Sequence, residues 1–251
     1  MKLTILGSGT WVTTSGKNSA AHLIETEKNN LLFDIGRGTT KQLFDLGKNL
    51  QDIDVLFITH LHQDHTSEIV PFIFSCMTDY SEKLGLRNKK LKIYGPRGTK
   101  KFIKRIYKTF HIRFQKEFLP PIIEVKDGQL IRGSDYSVKV FQVEHGKMKS
   151  FAYRISSKRK VITYSGDTTF CEGIIESVKN VDLALIEATS DKLDEVHLTG
   201  EQVGKLAKNS NVKYLVITHV APDYLPFVVK DIKKYYNGKL RLAKDGQSFK
   251  I

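Results

Sequence analysis

Three histidines and an aspartate are concentrated in the segment Thr59 to His65, as His60, His62, Asp64 and His65. The segment follows the run Val55 to Ile58, which is apolar and β-branched and predicts a buried strand. Four donor side chains therefore stand in the turn beyond a strand end, and imidazole and carboxylate are ligands that Zn, Mn and Fe share. So dense a cluster should seldom arise by chance. The alternative is a set of surface histidines on a polar loop, and the cluster favours the metal site.

Three further donors stand at or just after the ends of other predicted strands: His145, Asp167 and His219. The run that leads into His219, Tyr214 to Thr218, repeats the run before His60 almost letter for letter. Because sites in open α/β sheets are built at the carboxyl ends of strands, we expect all seven donors to converge.

The predicted donors form two sets that share a carboxylate. One set is His60, His62 and His145, the other is Asp64, His65 and His219, and Asp167 has two oxygens with which to bridge them. Seven ligands for two divalent cations leave coordination positions open, as catalysis requires. Two such cations, roughly 3.5–4 Å apart, would acidify a shared water into a nucleophile. A site with one metal and Asp64 as an unliganded base is the alternative. Ligands without thiolate favour Zn, with Mn or Fe open.

Composition is that of an ordinary globular chain, with 40% hydrophobic and 27% charged residues in 251. Strands alternate with helices in two similar halves without a Pro/Ser linker, so we expect one α/β domain, residues 1–251. No apolar run approaches the ~20 residues that cross a bilayer, and the start lacks a signal peptide, which predicts a cytoplasmic protein without membrane partners. Cys76 and Cys171 are isolated, which excludes thiolate zinc sites.

The net charge of +13 is a weak indication of an anionic partner. Lysines recur at i, i+4 spacing on the helix predicted for Arg97 to Phe110, which is also what a solvated helix face looks like. The polar stretch Thr78 to Lys90 predicts a loop or lid. The position of the basic segments Arg97 to Lys116 and Lys147 to Lys160 relative to the site should decide whether the charge serves a substrate.

The donor pattern, with Gly166-Asp167-Thr168, Glu187-Ala188-Thr189 and His197-Leu198-Thr199, resembles the metallo-β-lactamase-fold hydrolases, and among them ribonuclease Z and its close relatives. The likeness extends over nearly the whole chain, including the segment Phe33 to Thr39 and the run Ile93 to Gly98. It implies an αββα four-layer sandwich, phosphodiester hydrolysis and, since relatives of this fold often form dimers, a homodimer.

The resemblance also implies roles for residues outside the donor sets. His197 would be catalytic, protonating or stabilising the departing oxygen, and Glu187 would orient it; the alternative is that His197 caps the helix beginning near Thr199. Asp34 either hydrogen-bonds a metal-bound histidine or caps the helix that begins at Thr39.

Two departures from the ribonuclease Z pattern bear on the substrate. The segment Gly146 to Ser165 predicts two strands joined by a basic turn, which leaves no room for a tRNA-binding arm. Val220 to Tyr224 also replaces the usual Phe-Ser-x-Arg-Tyr pattern. We therefore expect a dinuclear phosphodiesterase of RNA or nucleotide diesters that lacks the arm. The alternatives are a small-molecule phosphodiesterase, acting on a cyclic phosphate or nucleotide diester, and a thioester or lactone hydrolase of the same fold. A broad basic rim around the site would favour RNA, and a small pocket a small diester.

Overall fold

The structure, a computed structural model, describes residues 1–12, 14–77, 91–112 and 120–251. The predicted loop Thr78 to Lys90 lies outside these residues. The strands are β1 Lys2–Gly7, β2 Ala21–Glu25, β3 Asn30–Phe33, β4 Val55–Phe57, β5 Lys92–Gly95, β6 Ile122–Glu124, β7 Leu130–Arg132, β8 Ser137–His145, β9 Met148–Ser157, β10 Lys160–Tyr164, β11 Leu183–Glu187, β12 Tyr214–Thr218, β13 Lys239–Leu242 and β14 Ser248–Lys250. The α-helices are α1 Thr39–Asp45, α2 Gln63–Thr66, α3 Ile69–Met77, α4 Thr99–Thr109, α5 Glu172–Ser177, α6 Gly200–Asn209 and α7 Leu225–Lys233, and a short 3-10 helix covers Leu50–Asp52.

The strands described form two mixed sheets of seven strands each. The first has the order β14-β1-β2-β3-β4-β5-β6, antiparallel up to β3 and parallel from β3 onward. The second has the order β13-β12-β11-β10-β9-β8-β7, parallel from β10 to β13 and antiparallel from β7 to β10. Each half of the chain thus builds most of one sheet, and β14 returns from the second half to pair with β1.

Side-chain alternation along the strands divides the apolar residues into layers. In β4, Phe57 faces the second sheet and packs with Tyr153, whereas Leu56 faces away from it and joins the residues under α1, α3 and α4. In β11, Leu185 points into the space between the sheets, and Ile186 points towards α5, α6 and α7. Helices therefore cover the outer face of each sheet, and the predicted αββα four-layer sandwich is confirmed.

The two sheets are hydrogen-bonded to each other at the edge where β4 ends. The buried Tyr153 hydroxyl, from β9, donates to the carbonyl of Ile58 at 2.8 Å, and the backbone N–H of Phe151 donates to the carbonyl of Thr59 at 3.1 Å. These bonds satisfy buried carbonyls just before the histidine-rich segment. The donors that follow β4 are therefore fixed relative to those of the second sheet.

Two helices differ from the sequence prediction for local reasons. The run Thr66 to Met77, whose apolar residues predict a single helix from the sequence, is divided between α2 and α3. The division arises because the N–H of Glu68 bonds the carbonyl of Ile35 and the Glu68 carboxylate accepts hydrogen bonds from Thr40. The helix predicted for Arg97 to Phe110 begins at Thr99, after Gly98 at φ 107°. Within the described ranges, no helix combines the length and the apolar character required to span a membrane.

Gly36 packs where a side chain would meet the backbone of the histidine-rich segment: a Cβ there would lie 2.1 Å from the carbonyl oxygen of Asp64 and 2.7 Å from the Ser19 Cβ. Gly36→Ala should therefore lower the free energy of unfolding by ~1–3 kcal/mol, since the backbone must move to relieve the overlap. Urea denaturation of the metal-free protein measures this. Arg37→Ala, at the exposed neighbouring position, is the control and should stay within ~0.5 kcal/mol of the parent. Equal stability of the two variants would contradict the packing argument.

Candidate metal centre and catalytic site

All seven predicted donors converge at one edge of the sandwich. The donor atoms of the first group, His60, His62, His145 and Asp167, lie within 4.8 Å of one another, and so do those of the second group, Asp64, His65, Asp167 and His219. Asp167 belongs to both groups, as expected of a bridging carboxylate. Every donor except His62 is buried.

Within the groups, nitrogen and oxygen atoms approach one another closely. His62 Nδ1 is 3.0 Å from His60 Nε2 and 3.1 Å from His145 Nε2. In the second group, His219 Nε2 is 3.1 Å from Asp64 Oδ2. Imidazole nitrogens that face one another in this way can share few protons, so a cation between them is the simplest way to satisfy their lone pairs.

Buried polar atoms without hydrogen bonds also indicate a cation site. His65 Nε2 and Asp167 Oδ1 are 3.2 Å apart and buried, yet neither makes a hydrogen bond. Buried polar atoms without partners are rare in folded proteins. The residues present therefore fit divalent cations in both groups, and the nitrogen and oxygen donor set suits Zn, Mn or Fe.

The pKa values of three donors, His60, His62 and Asp167, are shifted in the direction that suits cation binding. Burial lowers the pKa of His60 well below its ordinary value, and burial followed by the nearby His145 lowers the pKa of His62, so both are neutral ligands. Burial would raise the pKa of Asp167, but His219 and His65 hold it well below its usual range. Asp167 is therefore ionised.

Asp34 supports the second group through a hydrogen bond with His65. It follows β3 in a left-handed conformation, with φ 57°, and is fully buried. His65 Nδ1 and the Tyr164 hydroxyl both donate to Asp34 Oδ2 at 2.8 Å, and the backbone N–H of Thr59 donates to Oδ1 at 2.8 Å. The alternative role as a helix cap is not seen, because α1 begins after Gly38 without a side-chain cap. Tyr164 was missed by sequence reasoning, since a tyrosine ending a buried strand carries no signal beyond packing.

His197 and Glu187 form a buried pair. His197 Nδ1 donates to Glu187 Oε1 at 3.0 Å, and Glu187 also accepts from the backbone N–H groups of Thr168 and Thr189. Burial works to lower the pKa of His197, but the Glu187 carboxylate raises it to about 9. The capping alternative for His197 is wrong, because Thr199 caps α6 and forms a capping box with Gln202.

Two contacts that the sequence did not predict hold the imidazoles of His145 and His219. His145 Nδ1 donates to the carbonyl of Val196 at 2.6 Å. His219 Nδ1 lies 2.9 Å from the Thr189 hydroxyl, which in turn donates to Glu187 Oε2 at 2.5 Å. A backbone carbonyl leaves no trace in a sequence pattern. Donor atoms of Glu187, His197 and His219 also lie within 4.8 Å of one another, so the His197–Glu187 pair adjoins the second group directly.

A cavity of about 860 Å³ opens over these groups. Its walls include His62, Asp64, His145, Asp167 and His197 from the predicted site. Trp11, Met148, Val196, Ala221 and Tyr224 supply aromatic and apolar surface. Among the described residues, Lys147 is the one lysine or arginine that lines it, and Asp191, Asp194 and Asp223 lie on its rim. The described part of the basic segment Arg97 to Lys116 does not reach this cavity.

Known proteins of similar sequence and structure share this architecture. The Ribonuclease Z of Methanosarcina acetivorans is 25% identical over an alignment, gaps included, of 311 positions that covers 100% of this chain and 98% of that protein. The metallo-β-lactamase-fold protein YhfI of Bacillus subtilis matches with a TM-score of 0.85 at 20% identity, covering 99% of each chain. The short form of human tRNase Z matches with a TM-score of 0.78 at 23% identity, covering 100% of this chain and 99% of that one. The expected metallo-β-lactamase fold and the likeness to ribonuclease Z are confirmed.

One protein family matches almost the entire chain. Its sequence model, described as Anti-Pycsar protein Apyc1, matches residues 1–249. That span contains every donor from His60 to His219, together with Glu187 and His197. The chain therefore belongs to the Anti-Pycsar protein Apyc1 family.

Proposed function

We propose that the protein is a metal-dependent phosphodiesterase that hydrolyses nucleotide phosphodiesters with two divalent cations. The observation that carries the proposal is the shared position of Asp167 between two donor groups, directly beside the His197–Glu187 pair and under one cavity. The names of the similar proteins support the same class of reaction. A thioester or lactone hydrolase would need the same cations but gives no reason for the His197–Glu187 pair.

The first group and the second group would each hold one cation, with Asp167 contributing an oxygen to both. When bound, the cations supply a Lewis acid that polarises the phosphate and lowers the pKa of water. The carboxylate of Asp64 lines the cavity and is held ionised: burial would raise its pKa, but the hydrogen bond from His219 keeps it lowered. It is the group placed to accept a proton from the attacking water.

His197 serves the other side of the reaction. Its Nδ1 is committed to Glu187, which leaves Nε2 for the substrate, and its raised pKa keeps the ring protonated near neutral pH. A protonated imidazole can donate to the oxygen that leaves phosphorus, a contribution typically worth ~10²–10⁴-fold in rate.

The cavity favours a small nucleotide diester over a long RNA strand. Among the described residues, its lining carries Asp191, Asp194 and Asp223 against Lys147, whereas a groove that tracks a nucleic-acid backbone is lined by cations. Its volume lies within the ~300–1,000 Å³ typical of small-molecule sites. The segment from Gly146 to Ser165 is taken up by β9 and β10, which supports the absence of a tRNA-binding arm.

RNA is the second candidate substrate, supported by the ribonuclease Z relatives and by the net charge of +13. The proposal is tested by release of p-nitrophenol from bis(p-nitrophenyl) phosphate with Zn or Mn, followed by comparison of a cyclic nucleotide or dinucleotide with a single-stranded RNA. Preference for the small diesters is expected. No hydrolysis of any phosphodiester with any metal would contradict the proposed function.

The shared carboxylate makes a prediction about metal content. Asp167→Asn should weaken retention of both cations, whereas His62→Ala should weaken one of them, in each case by about 10- to 100-fold or more. Metal analysis after dialysis measures this, with two cations per chain expected in the parent. His111→Asn is the control: His111 is exposed, has φ 53° and lies outside both groups, and Asn tolerates that conformation. Equal losses in the Asp167 and His62 variants would argue against a bridge.

Loss of His197 should depend on the leaving group. His197→Ala is expected to keep both cations and to lower kcat/KM by ~10²–10⁴-fold for a diester whose leaving oxygen belongs to a ribose, because an alkoxide needs a proton. The loss should be much smaller for p-nitrophenyl esters, since p-nitrophenolate departs without one. An equal loss on both substrates, or a loss of metal, would show that His197 acts structurally.

The Glu187 carboxylate should set the alkaline limit of activity. If His197 acts as an acid with a pKa of about 9, kcat/KM for a ribose-leaving diester is constant below that pH and falls as the pH rises through it. Glu187→Gln removes the charge that raises the pKa while burial still lowers it, so the fall should move to lower pH. Glu195→Gln changes an exposed carboxylate nearby and should leave the profile unchanged. A profile that does not move in Glu187→Gln would contradict the assigned role.

A further inference from the structure

Trp11 is the single tryptophan of the chain and lies in the wall of the cavity. It is 49% exposed, although a side chain of this size loses much free energy by remaining in water. What distinguishes it from the other exposed hydrophobic side chains is its place in the cavity wall beside the donor groups, since aromatic side chains commonly line ligand sites.

Hydrogen bonds hold the chain on both sides of Trp11, at Ser8 and at Asn18. One oxygen of the Asp245 carboxylate accepts from the backbone N–H and the hydroxyl of Ser8, at 2.9 and 2.8 Å, and the other accepts from the backbone N–H of Asn18 at 2.6 Å. The carbonyl of Ser8 in turn accepts from the N–H of His219 at 3.1 Å. The chain is therefore anchored before and after Trp11, at Ser8 to the backbone of His219 and at Asn18 to Asp245, which limits the ordering that ligand binding requires.

The indole lies next to the catalytic pair. Its ring is nearly parallel to that of His197, with centroids 5.6 Å apart and an angle of 15°, and its centroid is 6.2 Å from that of His219. A phosphodiester bound at the donor groups would direct one of its ester substituents towards this ring. In a nucleotide, that substituent carries a base one sugar away from the phosphate.

The surroundings of Trp11 suit a flat, uncharged ring better than a second phosphate. Val196 and Ala221 give the cavity apolar surface near His197, and the exposed carboxylates of Asp191 and Asp223 lie on the rim. Carboxylates repel a phosphate but accept hydrogen bonds from the amino groups of bases. Base–aromatic stacking also tolerates any base, because each has a π-face.

We propose that Trp11 stacks against the nucleobase of the nucleotide whose phosphodiester is cleaved, and so selects nucleotide diesters over simple phosphodiesters. The inference rests on the proposed function and adds a subsite to it. Trp11 acts in substrate binding, next to but separate from proton transfer by His197.

The test uses Trp11 as its own reporter, because the chain has no other tryptophan. Zinc-loaded protein, excited at the red edge where tyrosine does not absorb, is titrated with nucleoside 5′- and 3′-monophosphates and with ribose 5-phosphate. Saturable quenching by at least one nucleotide, and none by the sugar phosphate, is expected. Equal responses to nucleotides and ribose phosphate, or no response to either nucleotide, would overturn the stacking proposal.

Kinetic measurements provide a second test of the stacking proposal. Thymidine 5′-(p-nitrophenyl phosphate) and methyl p-nitrophenyl phosphate share a leaving group, and the first carries a nucleoside where the second carries a methyl group. Trp11→Ala should reduce the preference for the thymidine ester, measured as the ratio of the two kcat/KM values, by about 5- to 100-fold, and Trp11→Phe should restore most of it. Phe44→Ala, an exposed aromatic outside the cavity, should leave the ratio unchanged.

The outcomes separate the two proposals. An unchanged ratio in Trp11→Ala overturns the stacking subsite while the phosphodiesterase stands. If the parent cleaves neither ester with Zn or Mn, the proposed function fails, and the fluorescence titration still decides whether the indole binds a base. Thermal unfolding of Trp11→Ala shows whether the variant is folded, and Trp11→Phe carries the comparison if it is not.

Discussion

Hydrogen bonds at Nδ1 decide which nitrogen of each imidazole faces the centre of the site. Four of the five donor histidines have Nδ1 next to an oxygen outside the donor groups: His60 to the Thr59 hydroxyl, His65 to Asp34, His145 to the carbonyl of Val196, and His219 to the Thr189 hydroxyl. A ring that donates from Nδ1 presents the Nε2 lone pair on its other side, and such partners fix both tautomer and orientation. His62, the partly exposed donor, faces the group through Nδ1 instead.

The two halves of the fold supply this support in the same way. In the first half, His60 donates to Thr59, whose hydroxyl lies 2.9 Å from Asp34 Oδ2; in the second, His219 donates to Thr189, whose hydroxyl bonds Glu187. Asp34 and Glu187 are both fully buried, and a buried carboxylate is tolerated when several donors surround it. Each sits just past or at the end of a central strand and accepts a backbone N–H from just beyond the neighbouring strand, of Thr59 for Asp34 and of Thr168 for Glu187. The Tyr164 hydroxyl, from the second sheet, completes the shell around Asp34 and so joins the two supports.

The seven donors could be predicted from the sequence because their residue types and their positions at strand ends together indicate a metal site. It also reached the main strands, since β-branched runs such as Tyr214 to Thr218 are long enough to show a period. It did not reach β6, β7 or β14, which are three residues each and acquire strand structure from their neighbours rather than from their own pattern. The choice between two roles for Asp34 required the structure, because capping and histidine support use the same carboxylate. Trp11 was missed because a lone aromatic after a Gly-rich turn is more often part of a core.

Net charge says little about the cavity itself, for a reason that the fold makes plain. Five cations of α4, Lys100, Lys101, Lys104, Arg105 and Lys108, are exposed on a helix that covers the outer face of the first sheet, and none of them lines the cavity. A substrate experiences the charges at the mouth of the site most strongly, because salt screens interactions over roughly 8–10 Å. Among the described residues that line the cavity, the charged side chains outside the donor groups are mostly aspartates. On the proposed function, attraction of the anionic substrate would therefore depend on cations bound in the donor groups rather than on the exposed basic face of α4.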